Sequence, residues 1–207
     1  MFKNPLSIAV ATAATIMLGA CSVVGGEAAP EPKFTQISKS DPFEIRDYPQ
    51  LVLVKTSMET DNDSFMRLFR YISGQNSGER EIAMTAPVLE TQAGTEIAMT
   101  APVLRSEEGG KTEMAFILTD NFTPETAPLP NDPAVTLATI PPRRVAVVNF
   151  SGRVDDEMAA EYTAQLQAWI EDQGLTATGP AELAQYNPPW TVPALRRNEI
   201  LIPVSGS

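Results

Sequence analysis

The side chains of this sequence that could do chemistry are few, and the first fact about them is a missing type: the 207 residues contain no histidine. Histidine is the usual general base near neutral pH and the commonest metal ligand. Ser-His and Cys-His hydrolases, His-containing zinc sites and His-ligated haem are therefore excluded. Cys21 is the sole cysteine, so no intrachain disulfide and no cysteine-built metal cluster can form. Asp and Glu are abundant but scattered, and no paired carboxylates at a readable spacing, nucleophile elbow or phosphate-binding loop occurs. Glu199 stands apart, because it lies in the apolar closing run Arg196 to Val204. Alternation places it on the same face as Arg197 and Leu201. Buried charges are normally partnered, which points to pairing with Arg196 or Arg197; unpaired in a pocket, it would be an acid/base group of raised pKa. The remaining candidates are soft and apolar. Phe65, Leu68, Phe69 and Ile72 follow one another at spacings of 3, 1 and 3, with Met66 among them and Arg67 and Arg70 beside them. That spacing makes one face of a helix, whose plainest use is core packing.

The elements that must position these residues can be read along the chain. Lys3 followed by the uncharged stretch Ile8 to Gly19 is too short to span a bilayer, which takes about 20 apolar residues, but suits a secretory signal. It ends in Leu18-Gly-Ala-Cys21, which is similar to the bacterial lipobox, where cleavage precedes a cysteine that becomes lipidated. Residues 1–20 are thus expected to be a lipoprotein signal peptide. Residues 21–33 form an extended Gly/Ala/Pro/Glu tether, residues 34–204 the folded domain, and residues 205–207 a tail. Two or three acyl chains anchor stably where one is marginal, and because Ser22 stands where lipoproteins retained in the inner membrane have Asp, the resemblance implies the outer membrane, with the domain facing the periplasm. With 26 acidic against 15 basic residues the charge is −11, so nucleic acid is a poor partner.

Phe43 to Tyr48 alternates apolar and polar residues as a half-buried strand does, and Leu51 to Ser57 is a second strand across Pro49, suggesting a hairpin. Asp61 to Asp63 open a helix that ends near Gly74. Met114 to Leu118 is a strand, followed by a Pro-rich loop from Pro124 to Pro133. The order then repeats: strands Val135 to Ile140 and Val145 to Phe150, and a helix opened by Asp155 to Glu157 and stopped by Gly174, with Met158, Tyr162, Leu166, Trp169 and Ile170 as its buried stripe. Arg196 to Val204 closes the chain as a strand. This is an α+β pattern with antiparallel sheet and two main helices. A nonapeptide, Glu81 to Leu89, recurs identically as Glu96 to Leu104. Two copies are a local duplication rather than a solenoid. Each copy presents a methionine, Met84 or Met99, among small residues as a short strand.

Arg70-Tyr-Ile-Ser-Gly74 leading into Ile82 to Val88, then Tyr186-Asn-Pro-Pro-Trp190 and Arg196-Arg-Asn-Glu199, resemble the SOUL haem-binding protein family in wording and order, over residues 34 to 204. The resemblance implies a distorted antiparallel β-barrel from two pseudo-repeated β-α-β halves. It also implies a non-catalytic binding protein for haem or another tetrapyrrole. A porphyrin needs a flat apolar slot and cationic partners for its propionates. Phe65, Leu68, Phe69 and Ile72 with Met66, Met84 and Met99 are the residues that would line the slot, and Arg70, with Arg67 second, would meet the propionates. Some family members are thought to use an axial histidine, which this chain lacks. Iron ligation would fall to Met66, Met84, Met99 or Tyr71, and metal-free porphyrin becomes as suitable a ligand as haem. Glu199 to Val204 is also similar to the closing strand of gyrase-inhibitor-like domains, which hold organic cations against a buried acid. An effector-type pocket for another hydrophobic or cationic small molecule, and a structural envelope lipoprotein, are the alternatives. Oligomeric state is not legible.

Overall fold

The computed structural model describes residues 29–77, 94–108 and 110–206. Twelve strands and two helices follow in chain order: β1 (Thr35–Ser40), β2 (Phe43–Tyr48), β3 (Leu51–Ser57), α1 (Asp61–Ile72), β4 (Asn76–Ser77), β5 (Val103–Glu108), β6 (Lys111–Ile117), β7 (Leu129–Pro130), β8 (Thr136–Ile140), β9 (Arg143–Phe150), α2 (Asp156–Asp172), β10 (Thr176–Ala177), β11 (Glu182–Gln185) and β12 (Asn198–Ser205). Both helices start on side-chain caps. Thr60 Oγ1 accepts from the Asp63 amide at 3.1 Å, and Asp155 Oδ1 from the Met158 amide at 2.8 Å, satisfying donors that the first turn leaves free. Each stops at a glycine with positive φ, Gly74 at 96° and Gly174 at 69°, a conformation that costs other residues a steric clash.

Nine strands form one antiparallel ladder in the order β1-β2-β9-β12-β11-β5-β6-β3-β8, with β10 added against β12. The ladder divides into two half-sheets of the same plan, β8-β3-β6-β5 and β2-β9-β12-β11, joined where β5 pairs with β11. No ladder joins β1 to β8 among the described residues, so the sheet is open and backbone pairing does not close the barrel that the resemblance implied. The expected β2–β3 hairpin does not form: β2 pairs with β9, while β3 pairs with β6 and β8. The reason lies in the two linkers, Pro49-Gln50 and Pro141-Pro142. A two-residue hairpin needs positive φ at its first turn position, which proline cannot adopt. Each half therefore sends its first strand to the edge of the other half.

Each half-sheet buries its outer face under one helix. Leu68, Tyr71 and Ile72 of α1 pack on Val52, Val54, Met114 and Phe116. Leu166 and Ile170 of α2 pack on Ala146, Val148, Ile200 and Ile202. The inner faces meet in a third cluster containing Tyr48, Leu51, Leu53, Leu104, Val145, Val147 and Leu201. All five residues of the expected α2 stripe pack into the outer cluster, but Trp169 is only half-buried, stacked on Phe43 at 5.1 Å. Leu166 and Ile170 hold the fully buried positions, at 0% and 1% exposure.

Candidate functional site

Twelve residues of α1 lie on a half-sheet that covers only part of their apolar surface. Ser64, Leu68, Tyr71 and Ile72 are buried, so Leu68 and Ile72 belong to the core and have no free surface to offer a ligand. Met66 (37% exposed) and Phe69 (38%) stand outward with Arg70, at the i, i+3, i+4 spacing that brings side chains together on one face. Phe65 is the hinge between the two environments. Its ring meets the edge of buried Phe116 at 5.3 Å and stacks on Phe69 at 6.1 Å, 12° from parallel. A flat apolar strip thus continues from the core to the surface.

The two arginines beside this strip differ. Arg67 donates to Thr56 Oγ1 at 3.1 Å and lies 3.7 Å from Asp132. The Arg70 guanidinium makes no ion pair or hydrogen bond among the described residues. Arg70 is the available cation. Met99 is exposed on a segment tied to the end of α1 by the Ile97 amide, which donates to the Ile72 carbonyl at 2.8 Å. In that segment Ile97, Ala101 and Leu104 are buried and Thr100 Oγ1 donates to the Ile117 carbonyl, so the second nonapeptide copy is built into the core with its methionine turned out. The first copy, with Met84, lies outside the described residues, as does Cys21. Tyr71 is unsuited to iron. It is 1% exposed and its hydroxyl donates to the Pro128 carbonyl at 2.8 Å, and burial pushes its pKa well above the ordinary value.

Glu199 is fully buried and fully partnered. Arg46 forks onto it at 2.8 and 3.1 Å, Arg197 at 3.0 and 2.8 Å, and the Tyr186 hydroxyl donates to it at 2.7 Å. Arg46 also reaches Glu44 at 2.8 Å and lies over the Phe34 ring at 4.4 Å. Burial alone would lower the Arg46 pKa, but its hydrogen bonds and charge pairing with Glu199 and Glu44 hold it above the usual value. Tyr186 is pushed up by burial and by the Glu199 charge. Of the two expected partners Arg197 is confirmed, whereas Arg196 turns to the carbonyls of Thr191 and Pro189. Arg46, Glu44 and Tyr186 were not anticipated. The signal was the alternation in β2, which puts Glu44, Arg46 and Tyr48 on one face, but a polar strand face normally reads as solvated.

The cluster leaves no room for a ligand. Between Pro32, Tyr48, Leu51, Leu104, Tyr186 and Leu201 the cavity measures only ≈ 10 Å³, at most the space of one water. The chain entering the domain covers it: Pro30 accepts from the Ala101 amide at 2.9 Å, and Glu31 pairs with Arg197 at 3.0 Å. A wider recess of ≈ 420 Å³ opens beside Asp47, Pro142, Arg143, Arg144 and Val204. Its cations are already committed, Arg143 to Glu182 and Arg144 to Asp47, each through two hydrogen bonds of 2.6 to 2.9 Å. Of these three places, the α1 face combines open apolar surface with a cation that no described residue engages.

A family model described as SOUL heme-binding protein matches residues 29–96 and 90–203. The first match contains one copy of the repeated nonapeptide and the second match contains the other. No curated protein matches the chain. Among solved structures, the C-terminal domain of EcmrR is similar at 15% identity and a TM-score of 0.52, over 80% of this chain and 98% of that one. A hydrolase encoded by lin2189 from Listeria innocua is similar at 12% identity and a TM-score of 0.52, over 82% and 94%. An uncharacterized conserved protein from Listeria innocua gives 13% and 0.51, over 86% and 94%. At such identities the likeness is one of fold.

Proposed function

The chain belongs to the SOUL haem-binding protein family, and from that membership we propose that it binds haem or another tetrapyrrole on the outer face of α1, without catalysing a reaction on it. One observation carries the reading: Met66 and Phe69, continuing outward from half-buried Phe65, are open to solvent beside Arg70, which no described residue engages. The strip fits a porphyrin face, and Arg70 fits a propionate, which guanidinium binds through two parallel hydrogen bonds. Bound haem would supply an iron centre for redox or small-ligand chemistry. Among the described residues Met66 and Met99 are exposed thioethers, and thioether sulfur is a known haem ligand. The face reads ring and carboxylates first, so iron-free protoporphyrin should bind comparably.

Lipidation at Cys21 would keep this domain on the envelope membrane, facing the periplasm from the outer membrane. Mass spectrometry of the native protein tests this, through a diacylglyceryl group on Cys21 and the loss of residues 1–20. The ligand reading is tested by titrating the full chain in detergent with haem and with protoporphyrin. Arg70→Glu should weaken both by roughly 10-fold or more, the scale of a lost charged hydrogen bond, and Phe69→Ala should weaken both as well. Binding untouched by either change would move the site elsewhere. No binding of either porphyrin would leave an effector pocket or a structural lipoprotein.

A further inference from the structure

Eight large hydrophobic side chains stand exposed among the described residues, and the three most exposed lie together in the loop between β11 and β12: Trp190 at 77%, Leu195 at 73% and Val192 at 61%. Their exposure is built in. The Arg196 guanidinium donates to the Thr191 carbonyl at 2.8 Å and to that of Pro189, Asn187 Oδ1 accepts from the Arg197 amide at 2.6 Å, and the Leu195 amide donates to the Val192 carbonyl at 2.9 Å. Pro188, Pro189 and Pro193 stiffen the same stretch. A loop fixed this firmly around outward apolar groups is made to meet a partner.

The partner is identified by charge and by the path of the chain. In a protein of charge −11, residues 183–198 contain no acid, and their only charges are Arg196 and Arg197. Such a stretch brings no like charge of its own to anionic or zwitterionic headgroups. The N-terminal segment enters at its root, where Glu31 pairs with Arg197 at 3.0 Å. Cys21 precedes Glu31 by ten residues, which span at most about 35 Å even when extended. Tryptophan favours the level of the membrane interface, which is where an exposed indole beside arginines would sit.

We propose that the Trp190–Leu195 loop docks into the lipid interface of the membrane that carries the Cys21 anchor, fixing the orientation of the domain. This rests on the anchoring part of the proposed function and is independent of the ligand. The test uses the lipidated full chain carrying Trp169→Phe, which keeps a ring against Phe43, in vesicles of phosphatidylethanolamine and phosphatidylglycerol without haem. Flotation reads the anchor. Trp190 emission should shift to the blue on reconstitution and fall roughly two-fold or more when the acyl chains are dibrominated, as for an indole at the interface. In the chain that keeps Trp169 and carries Trp190→Phe, this quenching should disappear. A chain that floats while Trp190 keeps the emission of a water-exposed indole overturns docking and leaves the anchor standing. A chain that does not float overturns both. A blue shift that depends on protein concentration without vesicles means that the loop meets a second copy, and also overturns the proposal.

Discussion

The two helices occupy equivalent places on the two half-sheets and treat their aromatic residues in opposite ways. On α2, Tyr162 stacks on Phe150 at 4.0 Å and Trp169 on Phe43 at 5.1 Å. The outward positions Glu157, Glu161, Gln165, Glu171 and Asp172 are exposed and polar. On α1, Phe69 is left outside with Met66, stacked only on half-buried Phe65. The same architecture thus seals one helix and leaves the other with apolar surface that stability does not need. Apolar surface kept in water contributes no burial energy, which is why the proposed ligand face is placed on α1 and not on α2.

The comparison is most directly broken at the sealed half. Removing the Glu199 charge by Glu199→Gln leaves buried Arg46 with Glu44 as its one remaining counter-ion and takes the inner partner from Arg197, and stability in urea unfolding should drop by about 3 kcal/mol. A loss below about 1 kcal/mol would mean that the cluster does not lock the second half. Next comes the packing of α2: Leu166→Ala should cost about 3 kcal/mol by the same measurement. Trp169→Ala should cost less despite its larger ring, since it is half-buried; the reverse order would place Trp169 deeper than its stacking on Phe43.

Acid should act on the same half. Arg46 and Lys39 overcome the effect of burial and hold the Glu44 carboxyl below its ordinary 4.5, and Arg144 holds Asp47 below 3.8. Both carboxyls are lowered in the folded state, so their contribution is complete above the ordinary carboxylate range and is lost as pH falls through the folded values. Thermal melts taken downward from pH 6 should lose stability in that direction, and Glu44→Gln should flatten the decline. The smallest effect is expected on α1, where Phe69→Ser should cost no more than about 1 kcal/mol, for the lost stacking on Phe65, while reducing porphyrin binding. A large stability loss there would make the exposed strip part of the core and erase the contrast.

Much of this was readable from sequence. Cap residues and glycine stops placed both helices, and alternation placed the strands that border the core, because those signals act within one or two turns of chain. β1, β4, β7, β10 and β11 escaped notice. Thr35–Ser40 is exposed along its whole length, Asn76–Ser77, Leu129–Pro130 and Thr176–Ala177 are only two residues long, and Glu182–Gln185 only four, too little to show a period. On α1, the 3.6-residue spacing correctly gathered Phe65, Leu68, Phe69 and Ile72 near one face. It could not divide them into the buried pair, Leu68 and Ile72, and the surface pair of Phe69 with Met66, because that division depends on how far the half-sheet extends beneath the helix.

Composition alone determined that no histidine chemistry operates here, and the linear motifs determined the family, since both depend only on which residues are present and in what order. Pro49 and Pro141 carried the strand exchange in plain view, but where the displaced strands would go depended on the opposite half. Glu199 shows the same boundary. Its neighbour Arg197 could be foreseen two residues away, whereas Arg46 lies 153 residues away. Only tertiary structure decided that the buried acid is neutralised from within, because a charge taken out of water must find its partner wherever the fold brings one.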